Sequence, residues 1–204
     1  MPKRNDDNKL QRPAGLPLLP FPETDADPSL EAKKAIHEIL SWVAVFVAAI
    51  GVAALIQMFV LEPLRVDGRS MNNTLYNNEF ILVSKADYWQ EDPERLDVVI
   101  CRYPGREDTY VKRVVGLPGD TVEVRKEQVL INGTPLQENY ITYPADYLYG
   151  PLMLGEDEYF VLGDNRIHST DSHVIGPIKR EAIIGRVRLV IYPLDSIRSV
   201  SSSD

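Results

Sequence analysis

A mainly β protein, with an antiparallel β-sheet domain behind one N-terminal transmembrane helix, is predicted by two observations on this 204-residue chain. The first is an apolar run without a charge, from Leu40 to Leu61. The second is the pattern after Pro63, where short runs of β-branched and aromatic residues alternate with turn formers at antiparallel-strand spacing.

Residues 1–30 are dense in Pro, Asp, Lys and Arg and have no apolar repeat. Such a segment buries too little surface to offset chain entropy, so residues 1–38 are expected to form a disordered tail. The run that follows contains one amide, Gln57. It meets the length of about 20 residues that a helix needs to cross a bilayer. It is longer than the apolar core of a cleavable export signal and begins too far from the N-terminus, so residues 39–62 read as an uncleaved anchor. Lys33 and Lys34 precede the run and Arg65 and Arg69 follow it as closely. The charge count therefore leaves the orientation tied. Ala44/Ala48 and Ala49/Ala53 have the spacing of helix-pairing positions, but small residues are common in such helices, and a monomeric span is expected.

Residues 63–204 make the β domain. The candidate strands are 80–83, 97–101, 110–115, 121–124, 128–131, 159–162 and 185–191, with turn chemistry at 116–120, Asn132-Gly133 and 163–165. Residues 136–158, with four tyrosines, break the rhythm and are expected to form a long loop or a small extra sheet.

Composition narrows the function. A net charge of −8 and a pI near 5.0 exclude nucleic acid as a partner, because phosphate binding needs clustered cations. Cys101 is the only cysteine, so no intramolecular disulfide is possible. None of His37, His168 and His173 belongs to a metal-ligand pattern, so no metal and no cofactor is expected.

Three stretches could carry chemistry. Ser70 lies in Gly68-Arg69-Ser70-Met71, eight to nine positions past the apolar run, so its chemistry is expected close to a membrane surface. A serine hydroxyl needs a base, and no histidine stands in a triad-like pattern. Lysine can serve once burial has lowered its pKa by several units. Lys112 stands in the apolar strand Tyr110-Val111-Lys112-Arg113-Val114-Val115. Period two puts Lys112 on one face and Arg113 on the other, so one cation is awkwardly placed unless the strand lies at an edge or beside a cleft. The bland alternative is a lysine that reaches solvent along its stem. The third stretch, Gly163 to His173, packs more hydrogen-bonding side chains than a turn needs. It is either a loop rich in Asx and Ser turns or a scaffold that orients a base.

Together these stretches resemble the bacterial type I signal peptidases, membrane-bound Ser/Lys endopeptidases, over residues 39–192. Gly68-Arg69-Ser70-Met71-Asn72-Asn73-Thr74-Leu75 is similar to the nucleophile motif, 110–120 to the general-base motif, and Gly163-Asp164-Asn165-Arg166 with Ser169, Asp171 and Ser172 to the third. The single anchor is like that of the Gram-positive members. The resemblance implies Ser70 as nucleophile and Lys112 as general base. Ser169 would hydrogen-bond the lysine amine, Asp171 would fix the surrounding loop, and Gly68 and Met71 would contact substrate. It also implies a signal peptide of an exported preprotein as substrate, cut after small residues in an Ala-x-Ala pattern. The N-terminus would be cytoplasmic and the β domain extracytoplasmic, at the cell membrane, with the lipid bilayer as the other partner. Apolar groups beside Ser70, Met71 and Leu75, are expected to be exposed toward lipid.

The chain departs from the family pattern at three points. Asn73 replaces proline, which would loosen the turn; His173 stands where arginine is usual; and Gly68 lacks the side-chain donor that some members place near the oxyanion. A self-cleaving repressor-type protease would carry a DNA-binding segment in place of the anchor. An inactive anchored β domain that only binds exported chains would need neither Ser70 nor Lys112.

Overall fold

The computed structural model describes residues 28–125 and 127–201. Helix α1 runs Pro28–Phe59. Its Ser29–Ile56 stretch is long and apolar enough to cross a membrane by length and composition. The helix thus begins well ahead of residue 39, and residues 28–38, expected in the tail, belong to it. The reason is local: Glu31 to Glu38 are mostly strong helix formers, with an acid in the first turn and a Glu31–Lys34 pair at 3.6 Å. The remainder of the expected tail, residues 1–27, lies outside the described residues. At the other end the helix stops before residue 62, because Leu61 already starts a strand.

The strands are β1 (Leu61–Arg65), β2 (Phe80–Ser84), β3 (Val98–Arg102), β4 (Thr109–Gly116), β5 (Thr121–Arg125), β6 (Gln128–Ile131), β7 (Thr134–Pro135), β8 (Tyr149–Met153), β9 (Glu158–Leu162), β10 (Ile178–Lys179), β11 (Ile183–Tyr192) and β12 (Arg198–Ser199), with a short helix α2 (Ser172–Ile175) before β10. The larger sheet has the order β1-β2-β11-β3-β4-β9-β10, with β12 also paired to β11; the smaller is β7-β6-β5-β8. Every pairing is antiparallel.

The seven strands expected from sequence all form, most of them a residue or two longer. β1 was not expected, because residues up to 62 read as the anchor and the strand runs were placed after Pro63. Pro63 is tolerated because β1 pairs with β2 alone, and an edge strand can leave one position without an N–H. Residues 136–158 do supply the extra sheet strand, β8.

Three apolar clusters hold the domain. One lies under β2 and β11 and includes Met71, Leu75, Ile81, Val83 and Val187. A second covers the other face around Val99, Tyr103, Val114 and Val161. The third fills the small sheet, where Val122, Val124 and Val129 meet Phe160 and Leu162. Two turns follow from their residues. Leu117-Pro118-Gly119-Asp120 closes with an Asp120 N–H bond to the Leu117 carbonyl at 3.0 Å, with Gly119 at φ +81, as a type II turn requires. Asn132-Gly133 has φ +53 and +81, the type I′ hairpin geometry.

β4 is interior to the large sheet and hands the chain over to the small one at Gly116. A Cβ there would lie 2.7 Å from Val122 Cγ2, 2.8 Å from Leu154 Cδ1 and 2.9 Å from Phe160 Cβ. Gly116→Ala should therefore cost ~1–3 kcal/mol by overpacking. Urea unfolding followed by tyrosine fluorescence should show a lowered midpoint with an unchanged slope; an unchanged midpoint would mean that the two sheets are not closely packed at this position.

Candidate active site

Between β1 and β2 the chain makes an excursion closed at its base by Val66 N–H to Glu79 O at 2.8 Å and Asn78 N–H to Val66 O at 2.9 Å. Gly68 sits at φ +107, with its N–H held by Asn77 Oδ1 at 2.9 Å. A tight turn follows: Asn72 N–H bonds the Arg69 carbonyl at 3.1 Å, and Thr74 and Leu75 N–H bond that of Met71 at 3.1 and 2.8 Å. Residues 71 and 75 therefore stack on one side of the turn, and that side is the core. Met71 is 2% exposed and Leu75 0%. The expectation that these two are exposed toward lipid is overturned, since both are needed to seal the cluster under β2. Met71 still borders the groove described below from within the core.

Asn73 takes φ +85, a left-handed conformation closed to proline, whose ring holds φ near about −65°. The turn as built here is therefore closed to proline, where a mere loosening was expected. Gly68 has open space where a Cβ would go, but its φ disfavours any L side chain, so a side-chain donor could not be added without reshaping the loop.

Lys112 projects from β4 into this excursion. Its Nζ lies 2.8 Å from Ser70 Oγ and donates to the Val111 carbonyl at 3.0 Å. The side chain is 2% exposed. Burial pushes its pKa below the ordinary 10.5, and the negative charge of Asp171, followed by Cys101 and Asp164, pulls it part of the way back.

Arg113, on the opposite face of β4, is fully buried as well, so neither cation reaches water. Its Nε and Nη2 donate to the two Asp164 oxygens at 2.9 and 2.8 Å, and Nη1 donates to the Leu96 carbonyl at 2.9 Å. Nη2 also reaches Thr74 Oγ1 at 3.1 Å, and that hydroxyl donates to Asp164. The Tyr140 ring lies 3.9 Å from the guanidinium.

Residues 163–165 join the parts. Gly163 N–H donates to Asp171 Oδ2 at 2.9 Å, Asp164 takes Arg113, and Asn165 N–H donates to the Ser70 carbonyl at 3.0 Å while its amide reaches the Arg69 carbonyl at 3.2 Å. A Cβ at Gly163 would overlap Ser169 Oγ and come within 2.5 Å of the Ser70 carbonyl, so only glycine permits this approach. Asp171 also caps α2 and accepts from His173 Nδ1 at 2.6 Å, with the His173 ring stacked 4.0 Å from Tyr147. Ser169 is beside Gly163, yet its buried hydroxyl has no hydrogen-bond partner. The expected bond from Ser169 to the Lys112 amine is not formed, because that amine is turned to Ser70 and Val111.

Sequence reasoning missed several residues that brace the turn. Thr74 and Arg113 are two; Arg198 from β12 is a third, bonding Glu79 at 2.8 and 2.9 Å and the Thr74 carbonyl at 2.8 Å. The available signal was the arginine next to Lys112 in an apolar strand, with an acid in the distant polar stretch. Ser70 and Lys112 face a groove of about 380 Å³, lined by Leu64 to Gly68 on one side and Asp108 to Val111 on the other. Among the described residues no cluster of metal ligands occurs.

A serine hydroxyl beside a buried amine, at the wall of an open groove, is the chemical arrangement of a serine hydrolase with a lysine base. A family model for signal peptidase, peptidase S26, matches residues 39–192. A signal peptidase I of Leptolyngbya laminosa is 36% identical over 187 residues, covering 87% of this chain and 92% of its own. Signal peptidase I S of Bacillus subtilis is 36% identical over 175 residues, covering 80% and 94%. A solved signal peptidase I from Enterococcus faecalis is 34% identical, covers 47% of this chain and 97% of its own, and has a TM-score of 0.43. The chain belongs to the signal peptidase family, peptidase S26, and is a serine endopeptidase.

The burial of Lys112 has a thermodynamic signature. Its amine loses protons more readily folded than unfolded, so between the two pKa values the unfolded chain holds more protons, and stability rises with pH up to about 10.5. Lys112→Met, which has no such linkage, should exceed the parent in stability at pH 7. Denaturant midpoints measured across pH should show that advantage fading toward pH 10; a constant difference would mean that Lys112 titrates normally.

Proposed function

We propose that this protein is a membrane-anchored signal peptidase I that removes N-terminal signal peptides from exported preproteins after small residues, with Ser70 as nucleophile and Lys112 as general base. The observation that carries this reading is the 2.8 Å approach of Lys112 Nζ to Ser70 Oγ at the wall of the groove. The neutral amine accepts the Ser70 proton while Oγ attacks the scissile carbonyl carbon. As the tetrahedral intermediate collapses, the C–N bond breaks and the ammonium returns its proton to the departing amine. Water, deprotonated by the same amine, then attacks the acyl-enzyme and releases Ser70. The Ser70 backbone N–H would serve as the donor for the oxyanion, the Gly68 N–H being taken by Asn77.

Ser169 and Asp171 support the base. The Ser169 hydroxyl, without a partner here, is available to the amine once Ser70 has been acylated. Asp171 holds Gly163 in place and contributes negative charge. Gly68 and Met71 border the substrate groove. Residues 1–38 would lie on the cytoplasmic side, with the apolar part of α1 across the bilayer and residues 63–204 outside, as one monomer.

The test is cleavage of a precursor carrying an Ala-x-Ala site. Ser70→Ala and Lys112→Ala should each abolish it, and Lys112→Arg should not restore it, because guanidinium stays protonated. For the parent, kcat/KM should rise with pH through the lowered Lys112 pKa, as the neutral amine appears. Undiminished cleavage by either alanine variant would remove the dyad, and a parent that binds precursors without cutting would favour the binding module. Asp171→Asn should move the acid limb of the profile downward, since one charge that favours the ammonium is lost.

A further inference from the structure

The segment after β2 is bound to the residue that leaves α1. Lys85 N–H donates to the Val60 carbonyl at 2.9 Å, and Lys85 Nζ pairs with Glu62 at 2.8 Å. From there the chain makes one 3-10 turn, Ala86–Tyr88, closed by Trp89 N–H to the Ala86 carbonyl at 3.1 Å. This segment is firmly built. Tyr88 OH donates to Asp97 at 2.8 Å, and Arg180 stacks on the Tyr88 ring at 5.3 Å while donating to the Tyr88 and Glu91 carbonyls at 2.9 and 3.2 Å. Its charges are largely matched within the domain: Asp87 takes Arg188 at 2.6 Å and Ser84 at 2.8 Å, and Asp92 takes Arg180 at 2.9 Å.

On this fixed support Trp89 stands 61% exposed. Most of its apolar surface faces away from the domain, four residues past Lys85, whose N–H is bonded to Val60, the residue that follows α1. Tryptophan, with an apolar body and one N–H donor, favours the headgroup level of a bilayer. We infer that Trp89 is seated in the bilayer interface, so that residues 85–91 form the surface by which the β domain rests on lipid. The occupant is lipid because the surface is continuous, through the Val60–Lys85 bond, with the end of the apolar helix. The paired charges also mean that approach to the headgroups strands few ions. This surface replaces Met71 and Leu75, whose burial removes them from any lipid contact.

The inference rests on the reading of α1 as a membrane span, and the protein carries a separate reporter for each. Its two tryptophans are Trp42, inside α1, and Trp89. Trp42→Phe and Trp89→Phe, each in full-length protein reconstituted into phosphatidylcholine/phosphatidylglycerol vesicles, leave one fluorophore apiece. Cleavage of a short soluble peptide at the parental rate reports that each variant is folded. With Trp89 alone, emission should be blue-shifted, shielded from iodide, and quenched more by lipids brominated near the headgroup than near the chain end. Free quenching by iodide with no effect of brominated lipid, while Trp42 alone is quenched by brominated lipid, would overturn the Trp89 seat and leave the anchor intact. Escape of Trp42 from brominated lipid would remove the anchor and the inference together.

Discussion

The Arg113–Asp164 ion pair is the constraint on which the rest of the site depends. Both side chains are fully buried, and their two parallel hydrogen bonds tie β4 to the residues just beyond β9. A buried pair of this kind adds little net stability over an apolar replacement, but loss of one partner strands a charge at a cost of ~3–5 kcal/mol. Its consequence is arrangement. Through Thr74 it also holds the turn that follows Ser70, and through the Leu96 carbonyl it fixes the loop before β3. With β4 and the turn locked on the Arg113 face, the opposite face of the same strand has one position for Lys112, against Ser70.

The electrostatics follow from that division of faces. Arg113 has its charge matched locally, so it can be buried as a cation. Lys112 has no carboxylate in hydrogen-bond contact, only the more distant influence of Asp171 and Asp164, so burial dominates and its proton is weakly held. Asp171 is itself well satisfied by Gly163 N–H and His173. By the resemblance of this motif, arginine is expected at the His173 position. Here the smaller imidazole keeps the contact with Asp171 and gains a stacked face on Tyr147, which ties α2 to the approach of β8.

Much of the fold was legible because strand patterning is local. Seven strands announced themselves through β-branched runs, and Asn132-Gly133 identified its hairpin. The failures were those of context. Leu61 and Glu62 read as the end of the anchor, and the edge position of β1 is what lets Pro63 sit within a strand. The polar residues before the apolar run read as tail, although their helix propensity carries α1 back to Pro28. In the site, Ser70 and Lys112 stood out as a turn serine and a cation among valines. The partner of Arg113 lies 51 positions away, beyond the reach of any periodicity. The burial of Met71 and Leu75 was encoded in their spacing of four, but a five-residue turn does not advertise itself as helical. The conformation of Asn73 was legible only as the absence of proline.

The buried amine of Lys112 has a consequence for when this enzyme can act. In an extended chain the same lysine is an ordinary solvated cation and Ser70 an inert alcohol. Under the proposed mechanism neither group is reactive until β4, the 163–165 corner and the Ser70 turn have closed on one another. Proteolytic competence then reports completed folding, and a newly made or partly assembled copy is harmless to neighbouring chains.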